Sequence, residues 1–259
     1  MRKKSLLSLF VIVLVFLIIL SALFLRRDTS EKKISVKVAI VIDDWGYNLN
    51  NIDLLNSIEA PLTLAILPNL AFSGEIAFIE SRHANRELIL HMPMEPENDS
   101  LRLEEDTILC SMDSDNIANL VESALSSVPS VTGVSNHMGS KVTRDRDAVD
   151  AVMSYLRSRE MFFLDSVAVS DSICEQSAKV NKIPFVKRDI FLDNVADKEY
   201  ISAQFDQLIA MASEKGSAVG IGHDRSLTLE TIKEKTCQLK DNNIEFVLIS
   251  DLVSSVDSE

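Results

Sequence analysis

Short apolar runs recur along most of the chain, separated by segments in which apolar residues follow a helical spacing. The runs are rich in β-branched residues and apolar at almost every position, which is typical of strands buried on both faces of a parallel sheet. We predict eight strands, at residues 36–42, 62–67, 87–92, 130–135, 161–165, 188–192, 217–222 and 244–249.

Three of the intervening segments have apolar residues at intervals of three and four, as do helix faces that pack on a core. These predicted helices cover residues 145–160, 200–214 and 228–240. The regular alternation of strands and helices predicts one parallel α/β domain over residues 36–259. Residues 93–112 show neither the apolar runs of strands nor the apolar spacing of helices. We therefore predict a long loop there, a kind of segment that often carries function.

Residues 5–25 carry no charge and are almost entirely apolar, between basic residues at 2–4 and 26–27. A run of this length spans the ~30 Å core of a bilayer as a helix. We predict a signal-anchor or transmembrane helix within residues 1–27 and a polar linker at residues 28–35. The protein is then a single-pass protein of the cell membrane, with its C-terminal domain extracytoplasmic (periplasmic). The alternative is a cleaved signal peptide, which gives a secreted form.

The net charge of −13 excludes one class of partner. A protein that binds nucleic acid needs a basic surface, and this acidic sequence supplies none, so we expect no nucleic-acid partner. Cys110, Cys174 and Cys237 lie far apart and match no metal-binding spacing. We interpret them as small buried hydrophobic residues.

Polar residues stand at the C-terminal ends of nearly all the predicted strands. In parallel α/β folds these ends carry ligand and catalytic sites. Each residue alone has an ordinary alternative role, since Asp and Ser cap helices and Asn suits turns. Their coincidence at so many strand ends indicates a site. The set includes Asp43, Asp44, His91, Asn136, His137, Asp165, Asp193, Asn194, His223 and Asp224.

Histidine is rare, with four residues in the chain, and three of them stand at predicted strand ends. His91, His137 and His223, with the adjacent Asp pair of the first strand, form a credible set for metal binding and acid–base chemistry. The fourth, His83, lies in a predicted helix among charged residues, and we interpret it as a surface side chain.

Seven stretches around these residues resemble the divergent polysaccharide deacetylase family, a branch of the carbohydrate deacetylase superfamily. They follow one another over nearly all of the predicted domain, and the HMPMEP and NHMGS sequences are specific. The stretches are VAIVIDDWGYN (38–48), PLTLAILPN (61–69), ELILHMPMEP (87–96), GVSNHMGSKVT (133–143), FFLDSVAVS (162–170), VKRDIFLDN (186–194) and GSAVGIGHDR (216–225). The resemblance implies a distorted parallel (β/α)7-type barrel, here preceded by the predicted N-terminal transmembrane helix.

The resemblance also implies a hydrolase that removes acetyl groups from an N-acetylated polysaccharide, with a divalent ion, for which Zn²⁺ is favoured, as cofactor. In the superfamily an Asp pair follows the first strand, which makes Asp43 the expected general base and Asp44 an expected metal ligand. His91 is a second expected ligand. The chain lacks the superfamily's HxxxH motif, and we assign His137 as the other imidazole ligand from its strand-end position. His223 resembles the late His that protonates the leaving group.

Four further residues are candidates for substrate contacts, with a structural hydrogen-bonding role equally open for each: Asn136, Asp165, Arg188 and Asn194. Asp224 follows His223 where the family more often has Pro, and a carboxylate in this place is expected to raise the pKa of the imidazolium.

Two other functions compete with this interpretation. The same fold suits a catalytically inactive module that binds a glycan or a protein partner near the membrane, because a fold does not fix a function. A metal hydrolase of glycosidic or ester bonds is the third candidate. Adjacent carboxylates on one strand end do not easily flank a sugar from two sides, which ranks this candidate below the others.

Overall fold

A sheet of nine parallel strands runs through the computed structural model, which describes residues 35–239 and 243–253. The strands are β1 (Val36–Trp45), β2 (Leu62–Ile66), β3 (Arg86–Met94), β4 (Gly133–Met138), β5 (Phe162–Asp165), β6 (Phe185–Lys187), β7 (Ile190–Phe191), β8 (Ser217–His223) and β9 (Ile244–Val247). The predicted parallel α/β class is confirmed.

Helices follow most of the strands. In the described ranges the α-helices are α1 (Ile52–Asn56), α2 (Ser73–Glu80), α3 (Ser114–Ser127), α4 (Arg146–Ser158), α5 (Cys174–Asn181), α6 (Lys198–Lys215) and α7 (Ser226–Gln238). The three helices predicted from apolar spacing are confirmed as α4, α6 and α7. Asp113, Asp145 and Asp197 start α3, α4 and α6 by accepting a hydrogen bond from the backbone N–H three residues further on.

The connection between β6 and β7 curls the sheet into a half-barrel. The pairing order is β6-β5-β4-β3-β2-β1-β8-β7, with β9 paired to β1, so that β6 and β7 lie at opposite ends of the path. Only Arg188 and Asp189 separate these two strands in the sequence, and such a segment spans at most ~11 Å. A flat sheet of eight strands would be roughly 34 Å wide. The two ends of the sheet must therefore approach each other.

The predicted strand at residues 188–192 is wrong in its extent. The chain forms two strands here, of which β6 pairs with β5 and β7 pairs with β8. Arg188 donates its backbone N–H to the Asp165 carbonyl at one edge, and Asp189 donates to the Val219 carbonyl at the other. Only β7 lies within the predicted run, whereas β6 precedes it and is missing from the prediction. A local apolar pattern does not record which neighbouring strand each residue pairs with.

Two apolar cores lie on opposite faces of the sheet. The larger core packs the sheet against the helices, and the smaller core fills the curled interior. The buried members of the smaller core are Ala39, Val41, Ala65, Ile89, Phe162, Leu164, Val219, Ile221, Val247 and Ile249. Residues two apart on a strand face the same side. The next interior positions towards the carboxyl ends of β1, β3 and β8 are therefore Asp43, His91 and His223.

Residues 95–113 form the long loop that the sequence predicts, although β3 continues to Met94. The segment contains no helix or strand and is tied to the end of β3 by a bridge between Ile108 and Met94. His83 is exposed as expected, but it lies in the turn after α2 and not in a helix.

The three cysteines are free and differ in burial. Cys174 is buried and Cys110 is half-buried, which agrees with a packing role. Cys237 is exposed, so the prediction of burial is wrong there. Cys237 lies outside the buried face of α7, which includes Leu229, Ile232 and Thr236.

The predicted membrane helix and linker lie outside the described residues. Within residues 35–239 and 243–253, no helix combines the length and apolar character that crossing a bilayer requires. The transmembrane segment therefore stays a prediction from the sequence.

We expect Gly133→Ala to destabilise the sheet. Gly133 lies opposite Phe162 in the pairing of β4 with β5, and a Cβ at this position would lie 2.5 Å from two atoms of the Phe162 ring. Overpacking of this kind costs about 1–3 kcal/mol in the free energy of unfolding, which urea denaturation measures. The control is Gly74→Ala on α2, where the nearest atom to a new Cβ is 3.5 Å away. Equal stability of the Gly133→Ala and wild-type proteins would contradict this packing.

Candidate metal centre

A β-bulge near the end of β1 turns two adjacent carboxylates towards the same imidazole. The pairing register between β1 and β2 shifts between Ile42 and Trp45, and Asp44 has a left-handed backbone with φ of 67°. Adjacent residues of a regular strand face opposite sides, whereas a bulge re-aims a side chain. As a result, Asp43 and Asp44 both approach the same ring nitrogen of β3.

Asp44, His91 and His137 converge at one point. Asp44 Oδ1 lies 3.4 Å from His91 Nε2 and 3.0 Å from His137 Nδ1. The two rings come from neighbouring strands and meet edge to face, with centroids 5.0 Å apart. One ligand atom from each residue lies within 4.8 Å of the others. Ligand atoms around a tetrahedral Zn²⁺ ion lie roughly 3.3–3.5 Å apart, so the spacing fits a single ion.

The hydrogen bonding of these residues leaves their converging atoms available. His91 Nδ1 lies 2.8 Å from Ser135 Oγ, which orients the ring with Nε2 towards Asp44. Asp44 Oδ1 is buried and, among the described residues, accepts no hydrogen bond from the nearby ring nitrogens. A buried carboxylate oxygen without a donor is costly unless a cation lies beside it. Two imidazoles and a carboxylate are also ligands that zinc prefers, so the residues fit a divalent ion.

The two carboxylates of the pair differ in environment. The side chain of Asp43 is 3% exposed and that of Asp44 is 29% exposed. Burial raises the pKa of Asp43, against the lowering influence of His91 and with a further increase from Asp44. Burial acts in the same direction on Asp44, but His137 and His91 outweigh it and hold the pKa of Asp44 well below its usual range. Asp44 thus suits the role of an ionised ligand, and Asp43 suits proton uptake.

A second acid–imidazole pair flanks this cluster. His223 lies opposite Asp43 in the pairing of β1 with β8. His223 Nδ1 is 2.7 Å from Asp193 Oδ1, and Asp193 Oδ2 accepts hydrogen bonds from the His223 backbone N–H and the Thr228 hydroxyl. The Phe191 ring stacks on the imidazole at 5.8 Å. These contacts fix the ring and leave Nε2 for a substrate.

The pair also sets the protonation of His223. Burial disfavours the charged imidazolium, but the hydrogen bond and the charge of Asp193 outweigh it and raise the pKa of His223. Burial likewise opposes the charge of Asp193, and His223 outweighs it and lowers the pKa of that carboxyl. His223 therefore keeps its proton to higher pH than a free histidine, as a proton donor requires.

Asp193 is one of the polar residues at predicted strand ends, but the sequence pattern assigns it no role in the site. The predicted strand end carries both Asp193 and Asn194. Asn194, the residue predicted to contact the substrate, is the exposed one of the two. Asp193 is buried and contacts His223. The alternation of side chains holds the missing signal: Phe191 packs against the interior core, so Asp193, two residues further on, faces the same side.

Asp224 does not have the expected effect on its neighbour. Asp224 Oδ1 accepts a hydrogen bond from Asn51 Nδ2, and the Asp224 backbone N–H donates to the Asp43 carbonyl. The carboxylate against the His223 imidazole is Asp193. The expectation that Asp224 raises the pKa of the imidazolium is thus wrong, because side chains of adjacent strand residues diverge.

Three of the four predicted substrate contacts, among them Asn136 and Asp165, form hydrogen bonds within the protein. Asn136 is buried, its Nδ2 donates to the Met138 carbonyl, and its Oδ1 accepts from the Ser166 backbone N–H. Asp165 is also buried and accepts hydrogen bonds from the Val167 backbone N–H and the Ser172 hydroxyl. These bonds shape the turns after β4 and β5. Contact with a substrate stays a prediction for both.

Arg188 is the third residue engaged within the protein, whereas Asn194 is exposed. The Arg188 guanidinium donates to the carbonyls of Ser166 and Val167 and lies 3.7 Å over the Phe191 ring, which in turn stacks on His223. Burial lowers the pKa of Arg188, and the nearby Asp165 opposes this shift. A substrate role for either residue stays a prediction.

Comparison with known sequences relates the chain to one family. The model of the divergent polysaccharide deacetylase family matches residues 40–253. The uncharacterized protein YibQ of Escherichia coli (strain K12) is 31% identical over 210 residues, which cover 81% of this chain and 65% of that protein. An uncharacterized protein of Haemophilus influenzae is 30% identical over 84% of this chain and 76% of its own length. The chain thus spans just under two thirds of YibQ.

Solved structures show the same fold. The uncharacterized protein ATU2773 from Agrobacterium tumefaciens C58 has a TM-score of 0.81 and 22% identity, over 85% of this chain and 89% of its own. A mutant of BA3943, described as a CE4 family pseudoenzyme with restored enzymatic activity, has a TM-score of 0.51 and 16% identity, over 86% and 68%. The Bc1960 peptidoglycan N-acetylglucosamine deacetylase has a TM-score of 0.51 and 13% identity, over 85% and 90%.

These likenesses confirm a parallel, curled half-barrel like that of CE4 deacetylases. The family match covers most of the chain and the whole of the Asp–His cluster. The chain therefore belongs to the divergent polysaccharide deacetylase family.

Proposed function

We propose that the protein is a metal-dependent hydrolase that removes acetyl groups from an N-acetylated polysaccharide. The observation that carries this proposal is the convergence of Asp44, His91 and His137 beside a second, buried carboxylate. Membership of the family supports the same reaction class. Bc1960 is described as a peptidoglycan N-acetylglucosamine deacetylase, which supports an acetylated amino sugar as the substrate class.

Asp44, His91 and His137 would hold the divalent ion, for which Zn²⁺ is favoured by the mixed nitrogen and oxygen donors. A bound ion of this kind acidifies water and stabilises the negative charge that develops on a carbonyl oxygen. The side chain of Asp44 is 29% exposed and that of His137 is 14% exposed. Water and substrate therefore approach from this side, while His91, at 3%, forms the floor.

Asp43 is the general base of the proposed reaction. Its Oδ1 is buried and has no hydrogen-bond partner within the described part of the chain. This oxygen is free to accept the proton of a water molecule that attacks the acetyl carbon. Because Asp44 is held as the ionised member of the pair, proton uptake falls to Asp43.

His223 is the general acid. Its Nδ1 is bound by Asp193, so Nε2 carries the proton that the departing amine receives. The imidazole stands across the β1–β8 pairing from Asp43, so that base and acid flank the same space. The Phe191 and Asp193 contacts keep the ring in this orientation.

The location of the enzyme is a further part of the proposal. The apolar run at residues 5–25, with basic flanks, supports a single-pass protein of the cell membrane with its catalytic domain on the extracytoplasmic (periplasmic) side. Polysaccharides of the cell envelope are accessible there. The domain then meets its substrate while tethered close to the membrane.

A non-catalytic glycan- or partner-binding module is the rival function. The fold accommodates such proteins, since the BA3943 neighbour is described as a pseudoenzyme. Here the presence of a candidate base, three candidate metal ligands and an oriented candidate acid in one cluster favours the hydrolase. The two functions predict different results when Asp43 is replaced, because a binding module does not need a general base.

Loss of one ligand is expected to abolish stoichiometric metal binding. Elemental analysis of the purified protein should give about one divalent ion per chain, and His137→Ala and Asp44→Asn should lose it. Ser135→Ala, which removes the partner of His91 Nδ1, should weaken metal affinity roughly 10–100-fold in chelator competition. The exposed His83→Ala is the matched control. Retention of the ion by His137→Ala would exclude this site.

Asp43→Asn is expected to keep the metal and lose turnover. The amide preserves the shape of the side chain but cannot accept the proton, so kcat should fall about 10²–10⁴-fold. The assay is acetate release from N-acetylated oligosaccharides, together with metal content. Asp53→Asn, at an exposed position of α1, is the control. Full activity of Asp43→Asn would remove Asp43 as the base.

Asp193→Asn is expected to shift the pH profile towards acid. Asp193 raises the pKa of His223, and the acid form of His223 is the active one. Without that carboxylate the imidazolium loses its proton at lower pH, so the alkaline limb of kcat/KM should move to lower pH. A rate-against-pH series on both proteins measures the shift. An unchanged alkaline limb would show that His223 is not the titrating acid.

A further inference from the structure

The long loop at residues 95–113, here termed the strap, is tied down on both sides of the candidate metal centre. On one side, Lys141 Nζ lies 2.5 Å from Glu95 Oε1, and Arg144 pairs with Glu97. The Lys141 backbone N–H also donates to the Glu95 carbonyl. Lys141 follows closely on the ligand His137 in the sequence. The first part of the strap is thus fixed to the segment that carries one ligand.

The other side of the strap reaches the segments after β1 and β2. The Tyr47 hydroxyl donates to Glu104 Oε1 at 2.5 Å, and Asn69 Nδ2 donates to Asp106 Oδ2. Tyr47 stands three residues after the ligand Asp44. Connecting segments are ordinarily more mobile than the elements they join, but these bonds fix the strap to the segments that follow β1 and β2.

Tyr47 is held at both its backbone and its hydroxyl. Gly46, with φ of +131°, makes the sharp turn from the buried Trp45, and a Cβ there would lie 2.9 Å from Ser73 Oγ. The Gly46 carbonyl accepts a hydrogen bond from the Phe72 backbone N–H. The backbone before the ring and the oxygen at its tip are therefore fixed.

The ring itself is nonetheless 49% exposed. Tyr47 follows the carboxyl end of β1, at the same edge of the sheet as Asp44 and His91. Leu103, next to Glu104 on the strap, is 39% exposed as well. An exposed aromatic face thus lies at the rim of the candidate centre and is not covered by the strap that fixes it.

Such a ring has the chemistry of a sugar-binding platform. The C–H face of a pyranose ring is apolar and packs on an aromatic face, while its hydroxyl groups need polar neighbours at the edge. Tyrosine combines a large apolar surface with a polar tip and loses little conformational entropy on binding. A side chain already fixed in place loses still less. The Glu104 carboxylate at the tip supplies an acceptor for hydroxyl groups.

We infer that Tyr47, held by Glu104 of the strap, is a platform for a sugar ring next to the residue that is deacetylated. This inference rests on the proposed glycan substrate and assigns the protein a preference for chains over single sugars. Tyr47 is not among the residues that converge at the candidate metal centre, so we assign it to a neighbouring sugar and not to the reacting acetamide. Its contribution is to the binding of oligomers.

The test compares affinities for an N-acetylglucosamine monomer and a β-1,4-linked tetramer by titration calorimetry on the full-length protein in detergent. The wild-type protein should bind the tetramer more tightly than the monomer. Tyr47→Ala should weaken tetramer binding about five- to twenty-fold, as for the loss of one aromatic contact with its buried area, and leave the monomer unchanged. Tyr47→Phe, which keeps the ring, should retain most of the affinity.

Phe78→Ala is the matched control. Phe78 is another exposed aromatic residue, 57% exposed, and lies near the C-terminal end of α2, away from the strand ends that form the site. It should leave both affinities unchanged, and circular dichroism should show that Tyr47→Ala keeps the wild-type fold. Equal affinity of Tyr47→Ala and wild type for the tetramer, or equal loss for monomer and tetramer, would overturn the platform. So would a wild-type protein that binds neither sugar.

The same samples separate this inference from the proposed function. Binding of the tetramer through Tyr47 without acetate release would support the platform and sink the hydrolase. Acetate release from the tetramer with an unchanged KM in Tyr47→Ala would support the hydrolase and overturn the platform. Glu104→Gln keeps the polar tip contact but removes the charge, and it should resemble Tyr47→Phe more than Tyr47→Ala.

Discussion

The strict alternation of side chains along the strands of a curled sheet is the constraint from which the site arises. Apolar residues fill the interior of the half-barrel through most of its height, and the same rows end in Asp43, His91 and His223. Curling of the sheet brings these row ends together, since β6 and β7 are joined by two residues although they lie at opposite ends of the pairing order. A flat sheet with the same strands would spread the same residues along one edge.

One local break in that alternation creates the geometry of the candidate metal centre. Neighbouring residues of β1 would normally diverge, but the bulge and the left-handed Asp44 bring both carboxylates to His91. Backbone strain of this kind persists where the surroundings fix it, and it concentrates at functional sites. Its consequence is electrostatic: one carboxylate is stabilised in its ionised form by two imidazoles, while the other is buried and is the better proton acceptor.

Much of this arrangement is predictable from residue order. Nearly continuous apolar runs indicate buried parallel strands, and the strand ends gather three of the four histidines. Strand alternation also distinguishes Asp193 from Asn194 as the residue that faces the site. Phe191 packs against the interior core, and Asp193, two residues later, faces the same side. For Asn136, by contrast, its place at a strand end does not reveal what its side chain contacts. It stands beside His137 at a strand end, but its position between Ser135 and His137 turns its side chain to bonds with Met138 and Ser166.

The sequence alone defines the fold class, the order of the elements and the short list of polar residues, because hydrophobic periodicity is a local property of neighbouring residues. It does not define which residues meet across the sheet. The pairing of β6 with β5 and of β7 with β8, the pairing of Asp193 with His223 and the attachment of the strap to Tyr47 are contacts between distant segments. Their geometry is set by sheet curvature and packing, which no local pattern encodes.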